Sequence, residues 1–399
     1  MNKPRTNKTN QISNLNLPVD SNEFNEAIDR DFGSATEHHT DGFSRRRWLQ
    51  LMGASLALGG MTGCRYEEEK IAPFAFRPQP RIPGVPVKYA SLTELGGISQ
   101  PILGTSFDGR PIKLDGNPQH PDSMGASTSF TQARILEFYD PDRLRAPLGG
   151  EGLAETSFDE LVNACKFSDA STVAVVAHPT SSPSMMRLKD EFTAKGGQWF
   201  TYSPSSDDNA REGSKLAFGR PLRAHYKLDE AKVIVSLDAD ILSTAGSGVA
   251  NSVKFAKGRD ADSKEMSRMY VVESQFSTTG AAADHRIAVR SSDIEGFAAS
   301  LAEEIDKVDD GVVDPSLPYR EKVLAAMASD LVLHKGQCVI VAGEKQSPKV
   351  HALVHSLNDK LGNHGKTITF TEVPDPQRPS TITAISDFAK KAKAGEFKT

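Results

Sequence analysis

In the second half of the chain Thr172–Ala177 is a continuous apolar run, and further strands are read at Gln198–Tyr202, Lys232–Leu237, Arg268–Glu273, Gln337–Ala342 and Thr367–Thr371. Runs of this length without polar alternation read as strands buried on both faces. Segments of helical character lie around and between them, at Phe158–Phe167, Ser184–Lys195 and Pro348–Leu361, with a last one from Ile385 to Gly395. Serine opens the second of these and Gly196-Gly197 stops it. Strands alternating with helices predict a parallel, doubly wound α/β domain of Rossmann type over residues 151–399. The chain closes on "KKAKAGEFKT", where a further strand is expected. The domain therefore reads as incomplete, as from a truncated or split gene.

Ahead of that domain the rhythm differs. Val87 to Leu114 alternates short apolar runs with Gly and Asp-Gly turns, such as Phe107-Asp108-Gly109-Arg110, which predicts a small β-rich unit with hairpins. Residues 115–142 read as loop, with one helix near Phe130–Phe138. This unit is assigned to residues 91–150. A proline-rich arm covers residues 65–90, with Pro73, Pro78, Pro80, Pro83 and Pro86.

The first 64 residues carry an address. In residues 44–64, Ser44-Arg45-Arg46-Arg47-Trp48-Leu49-Gln50 is basic, and Leu49 to Gly63 then runs without a charge. That run is short of the roughly 20 residues a membrane span needs, but suits an export signal. Arg45 and Arg46 before Trp48-Leu49 resemble a twin-arginine signal. Met61-Thr62-Gly63-Cys64 resembles a lipobox, which makes Cys64 the expected lipid attachment point. Residues 1–43 form a preface. Its first 19 residues are Asn/Thr/Lys-rich and read as disordered. An amphipathic helix is predicted after Asp20, with Phe24, Ile28 and Phe32 on one face. The expected location is the periplasmic face of the cytoplasmic membrane.

Composition narrows the chemistry. A net charge of −5 from 47 basic and 52 acidic residues argues against nucleic acid as a partner. The only cysteines are Cys64, Cys165 and Cys338, too far apart for a local zinc or iron–sulfur motif.

The stretch "DGRPIKLDGNPQHPDSMGAS" (108–127) resembles the molybdopterin oxidoreductase superfamily, in which a Gly-Asn-Pro-x-His-Pro loop lies beside the cofactor. The address, "EEEKIAPF" (67–74), "FYDPDR" (138–143), "MYVVESQFSTTGAAADHRIAVRSSD" (269–293) and "AGEKQSPKVHALVHSLNDKLGNHGKT" (342–367) narrow the match. They are similar to the Tat-variant-translocated branch, the large B subunit of bacterial alternative complex III. The resemblance implies a subunit of a respiratory quinol-oxidising complex. Its expected partners are membrane quinol-binding subunits, a multiheme cytochrome and iron–sulfur subunits. It also implies a molybdopterin-like half without metal, followed by a ferredoxin-like half with [4Fe–4S] clusters that this chain does not contain.

Catalytic members of the superfamily carry cluster cysteines that are missing here: residues 65–107 have none, and the loop runs into Gly125-Ala126-Ser127-Thr128. Asn117 and His120 in that loop, and Glu344 and Gln346 in the loop after Gln337–Ala342, are the candidates for a relic pterin site, at the strand ends where ligands gather in such folds. Glu344 is expected to repel a pyrophosphate. His351 and His355 are spaced like a zincin pair but lack the general-base glutamate, and no catalytic or metal-binding residue is assigned. Cys165 is expected in a helix core and Cys338 in a buried strand. No cofactor is expected in this chain, which is read as a scaffold and docking half. The alternative is a molybdopterin guanine dinucleotide enzyme whose other domains lie on a second chain. A third reading is a free periplasmic binding module.

Overall fold

The computed structural model describes residues 82, 84–95, 98–149, 154–166, 169–243, 248–260, 262, 266–309 and 319–397. The preface helix, Arg45, Arg46 and Cys64 lie outside the described residues.

The β-rich unit is an antiparallel meander of β1 (Val87–Leu95), β2 (Ile98–Phe107) and β3 (Arg110–Gly116). Its β2–β3 turn is the predicted Asp-Gly pair, with φ of 47° at Asp108 and 90° at Gly109, the left-handed pair that a two-residue hairpin requires. A Cβ on Gly116 would lie 1.9 Å from the carbonyl oxygen of Ala126, so only glycine lets β3 meet the loop that follows. The helix expected at Phe130–Phe138 is α1 (Ser129–Ala133) continued by a 3-10 turn, Arg134–Phe138.

A short antiparallel pair, β4 (Leu148–Gly149) and β5 (Ala154–Glu155), leads to α2 (Phe158–Ala164). Ser157 and Glu160 form a reciprocal capping box there. Next come β6 (Ala174–Ala177), α3 (Pro183–Ala194) and β7 (Gln198–Thr201), with β6 and β7 paired in parallel. Two elements follow that the apolar runs do not announce, α4 (Asp208–Phe218) and β8 (Leu222–Tyr226).

The centre of the fold is a four-stranded parallel sheet in the order β11–β10–β9–β12. Its strands are β9 (Val233–Leu237), β10 (Arg268–Glu273), β11 (His285–Ala288) and β12 (Cys338–Ala342). Every residue of β9 is buried, which explains its mostly apolar run. Val233, Val235 and Leu237 pack against α7 (Ile294–Asp309), α8 (Tyr319–Leu333) and α9 (Pro348–Lys360). Ile234 turns the other way, with Met269, Val271 and Val339, toward Phe255 of α5 (Gly248–Lys257). A single helical turn, α6 (Thr278–Ala281), joins β10 to β11.

The mixed α/β class is the expected one, a small antiparallel unit followed by parallel strands. The strands do not all join one sheet. β13 (Ile368–Glu372) pairs antiparallel with β8, and β6–β7 stands as its own pair. The last helix, α10 (Thr381–Lys393), starts four residues before Ile385, because the Ser380 hydroxyl caps it by accepting from Thr383 N–H at 3.2 Å. It packs on β7 through Phe388 against Phe200, with ring centroids 5.4 Å apart. Among the described residues no helix is long and apolar enough to cross a membrane.

Candidate functional site at the strand ends

β9 is followed in sequence by β10 on one side, while β12 returns to its other side. The chain thus reverses between β9 and β12, and a crevice opens beyond their carboxyl ends. It holds a cleft of about 350 Å³, bounded by Asp238–Ile241, Glu273–Gln275 and Ala342–Lys345, with Asp207 and Arg211 from the start of α4.

Asp238 ties the strand-end loops together. Its backbone is left-handed, with φ of 57°. One carboxylate oxygen accepts from the Ser274 backbone N–H and hydroxyl, both at 2.9 Å. The other accepts from Gln346 Nε2 at 2.8 Å and the Ser291 hydroxyl at 3.2 Å. Burial raises the Asp238 pKa, but these donors, Ser274 foremost, outweigh it and hold the group below its ordinary value. Asp240 plays a smaller version of this part: its Oδ1 accepts from Thr279 N–H at 3.0 Å and from the Thr279 hydroxyl at 2.7 Å. Glu273, only 3% exposed, accepts from Arg286 Nε and the Ser277 hydroxyl.

The sequence candidates are thereby divided. Gln346 is buried, and its amide is committed to Asp238 and Ser291. Glu344 lines the cleft and is exposed as a residue, although its carboxyl is partly desolvated. Desolvation raises its pKa and the Asp207 carboxylate adds to this, against Arg223. Asn117 and His120 do not line that cleft. They organise their own loop: the Asn117 carbonyl accepts from the Ser123 hydroxyl at 2.6 Å, and His120 Nδ1 accepts from Asp122 N–H at 3.2 Å. In the stretch Gly125-Ala126-Ser127-Thr128 that follows this loop, the Thr128 hydroxyl caps α1 by accepting from Thr131 N–H at 3.0 Å.

His351 and His355 both line the cleft from α9. Burial pushes each imidazole down to about 4, so both are neutral near pH 7. His355 is wedged among aromatic rings, 5.0 Å from Phe218 and 5.7 Å from Phe370. Among the described residues no group of three or more His, Cys, Asp or Glu is placed to hold a metal. Cys338 is buried in β12 as expected; its thiol donates to Asn363 Oδ1 at 3.3 Å, and burial pushes its pKa up to about 11. Cys165 corrects the expectation: it is exposed. α2 ends at Ala164 and buries none of its residues, so there is no core on that face to receive the thiol.

A pterin nucleotide would bring a pyrophosphate, and the residues at the strand ends do not fit one. A phosphate cradle needs glycines whose missing side chains leave room for the ligand. Here the chain fills that room itself. A Cβ on Gly343 would lie 1.9 Å from the Asp238 carbonyl oxygen, and one on Gly280 2.0 Å from Glu273 Oε1. The Asp207 and Glu344 carboxylates already oppose each other in the cleft, and two further anionic groups would add to that repulsion.

Sequence reasoning missed Asp207, Arg211 and Arg223. The signals were present: Asp207-Asp208 opens α4, and Gly219-Arg220-Pro221 ends it, with φ of 73° at Gly219.

Comparison with known proteins adds one distant relative by sequence. The chain is 22% identical, over 235 residues, to the menaquinone reductase, molybdopterin-binding-like subunit of Nitratidesulfovibrio vulgaris. The match covers 56% of this chain and 34% of the relative, so the chain spans about a third of that protein's length. By structure it is similar to acetylene hydratase from Pelobacter acetylenicus, with a TM-score of 0.46, 12% identity, and coverage of 71% of this chain and 42% of that one. No family model matches the chain.

Proposed function

We propose that the chain is a cofactor-free, molybdopterin-oxidoreductase-like subunit of a quinone-linked respiratory complex, similar to the large B subunit of alternative complex III. It serves as a scaffold that holds electron-carrying neighbours in register. The Asp207 and Glu344 carboxylates that face each other in the strand-end cleft carry the cofactor-free reading, because a dinucleotide pyrophosphate would add to their repulsion. The likeness to a menaquinone reductase subunit described as molybdopterin-binding-like supports the quinone link. In this reading electrons pass through clusters or hemes of the partner subunits, and a lipid on Cys64 holds the chain at the periplasmic face.

The test is purification of the native complex from membranes through a tag on this chain. Quinol-binding membrane subunits and a multiheme cytochrome should accompany it, with no stoichiometric molybdenum, tungsten or extractable pterin. Molybdenum in a one-to-one ratio with the chain would establish the molybdopterin enzyme instead. A chain recovered alone from the soluble periplasm would favour a free binding module.

The address gives a separate prediction. Arg45→Lys combined with Arg46→Lys should strand the protein in the cytoplasm, as read by fractionation, because the twin-arginine route discriminates against paired lysine. Undiminished export of the double variant would assign the signal to another route.

A further inference from the structure

A second cavity, of about 180 Å³, adjoins the strand-end cleft, with Ile98 and Arg223 lining both. It sits where the start of β2 and the loop after His120 meet β8 and α5. Its wall includes Ser99, Gln100, Asp122, Ser181, Arg223 and His225. Gln100 is 7% exposed. Its Oε1 accepts from the Thr131 hydroxyl, while its Nε2 is buried with no hydrogen-bond partner. A buried amide N–H without an acceptor is rare in folded proteins, because the group has given up its hydration for nothing. The Ser99 and Ser181 hydroxyls face each other at 3.4 Å, a spacing that leaves both able to turn toward a third group. Arg223 brings a guanidinium to the same wall, held only loosely by Asp207 at 3.9 Å. His225 bonds outward, through Nε2 to the Thr371 hydroxyl at 2.8 Å.

We propose that this cavity is a binding site for a small oxyanion, a phosphate or carboxylate group, received by Gln100 Nε2, the Arg223 guanidinium and the Ser99 and Ser181 hydroxyls. The donors converge from the β-rich unit and from the α/β domain. Arg223 supplies the charge and Gln100 a fixed, desolvated N–H, the pairing that makes oxyanion hydrogen bonds strong. The Asp122 carboxylate on the same wall opposes the ligand and limits its charge. A cavity of about 180 Å³ admits an inorganic phosphate or a short dicarboxylate but not a nucleotide. The proposal stands apart from the respiratory reading, since it needs no partner subunit and shares only Arg223 and Ile98 with the strand-end cleft.

The test uses the full chain, with inorganic phosphate and malonate as separate probes in isothermal titration calorimetry at constant ionic strength. One of the two should bind saturably. Arg223→Gln and Gln100→Leu should each weaken that binding about tenfold or more, the scale of one lost charge-assisted hydrogen bond. Phosphate alone binding would identify a phosphoryl ligand, and malonate alone a carboxylate ligand. Gln100→Leu also removes the bond to Thr131. Ser181→Ala, which removes the hydroxyl facing Ser99 and leaves the Gln100–Thr131 bond intact, therefore serves as the variant that keeps the fold, and it should weaken binding severalfold. The site is overturned if neither probe binds saturably to the wild-type chain, or if binding survives unchanged in Arg223→Gln and Ser181→Ala.

Discussion

Arg286→Ala is expected to lower the free energy of unfolding by about 3 kcal/mol, the scale of breaking a buried ion pair from one side. The carboxylate of Glu273 is 3% exposed, at the end of β10, and the Arg286 guanidinium opposite is its charge partner. Arg286 also lies over the Phe276 ring, 4.8 Å from its centroid, which holds it against the loop. The side chain of Arg286 is 30% exposed, so water reaches its outer edge and keeps the loss at the lower end of the usual range. Without it, Ser277 still donates to Glu273 through its hydroxyl and its backbone N–H, but no positive charge faces the carboxylate there. The carboxylate lies against Gly280, where a Cβ would be 2.0 Å from its Oε1. Urea denaturation reads the change as a lower midpoint. The double variant Glu273→Gln with Arg286→Met should recover much of the loss, because it removes both charges and keeps both shapes. A loss within about 0.5 kcal/mol for the single variant, the range of ordinary surface changes, would show that solvent supports Glu273 on its own.

This pair also marks how far the sequence could be read. β9, β10 and β12 of the central sheet were legible because both of their faces are buried, which forces a mostly apolar run such as Val233–Leu237, where Ser236 is the one polar residue. β8 was not, because each of its residues is only half-buried and its Arg223 and His225 break the run. β13, read correctly as a strand, was assigned to the wrong kind of pairing. Its partner is β8, and no local feature of Ile368–Glu372 reveals an antiparallel neighbour that lies some 140 residues earlier in the chain. The loop candidates were half legible for a related reason. Position after a strand places Glu344 and Gln346 at the crevice, but only the fold shows that Gln346 turns inward to Asp238 while Glu344 faces Asp207. Cys165 failed because a helical pattern says which residues share a face, and α2 has nothing packed on that face.

Asp238→Ala should cost about 3 kcal/mol, and the loss should depend on pH in a defined sense. Four donors end on this carboxylate, from Ser274 twice, Gln346 and Ser291, and hydrogen bonds to a charged group contribute about 1.5–3 kcal/mol each when counted singly. They share one acceptor, and the group is half-buried, so their sum falls well short of four times that figure. Asp238→Gly separates the side chain from the backbone. Glycine accepts the left-handed conformation that alanine pays about 1 kcal/mol to adopt, so the glycine variant should be the milder of the two. The carboxyl pKa is lower in the folded chain than in the unfolded one, where it lies near 3.9. The unfolded state therefore binds the proton first on acidification. The stabilisation from Asp238 is complete above the unfolded value and is lost as pH falls through the folded value. Wild type and Asp238→Ala should differ most at neutral pH and converge in paired denaturation curves as acidification passes the unfolded value and then the lower folded one. Curves that stay parallel through that range would show that the loops after β9, β10, β11 and β12 are held by packing and not by this carboxylate.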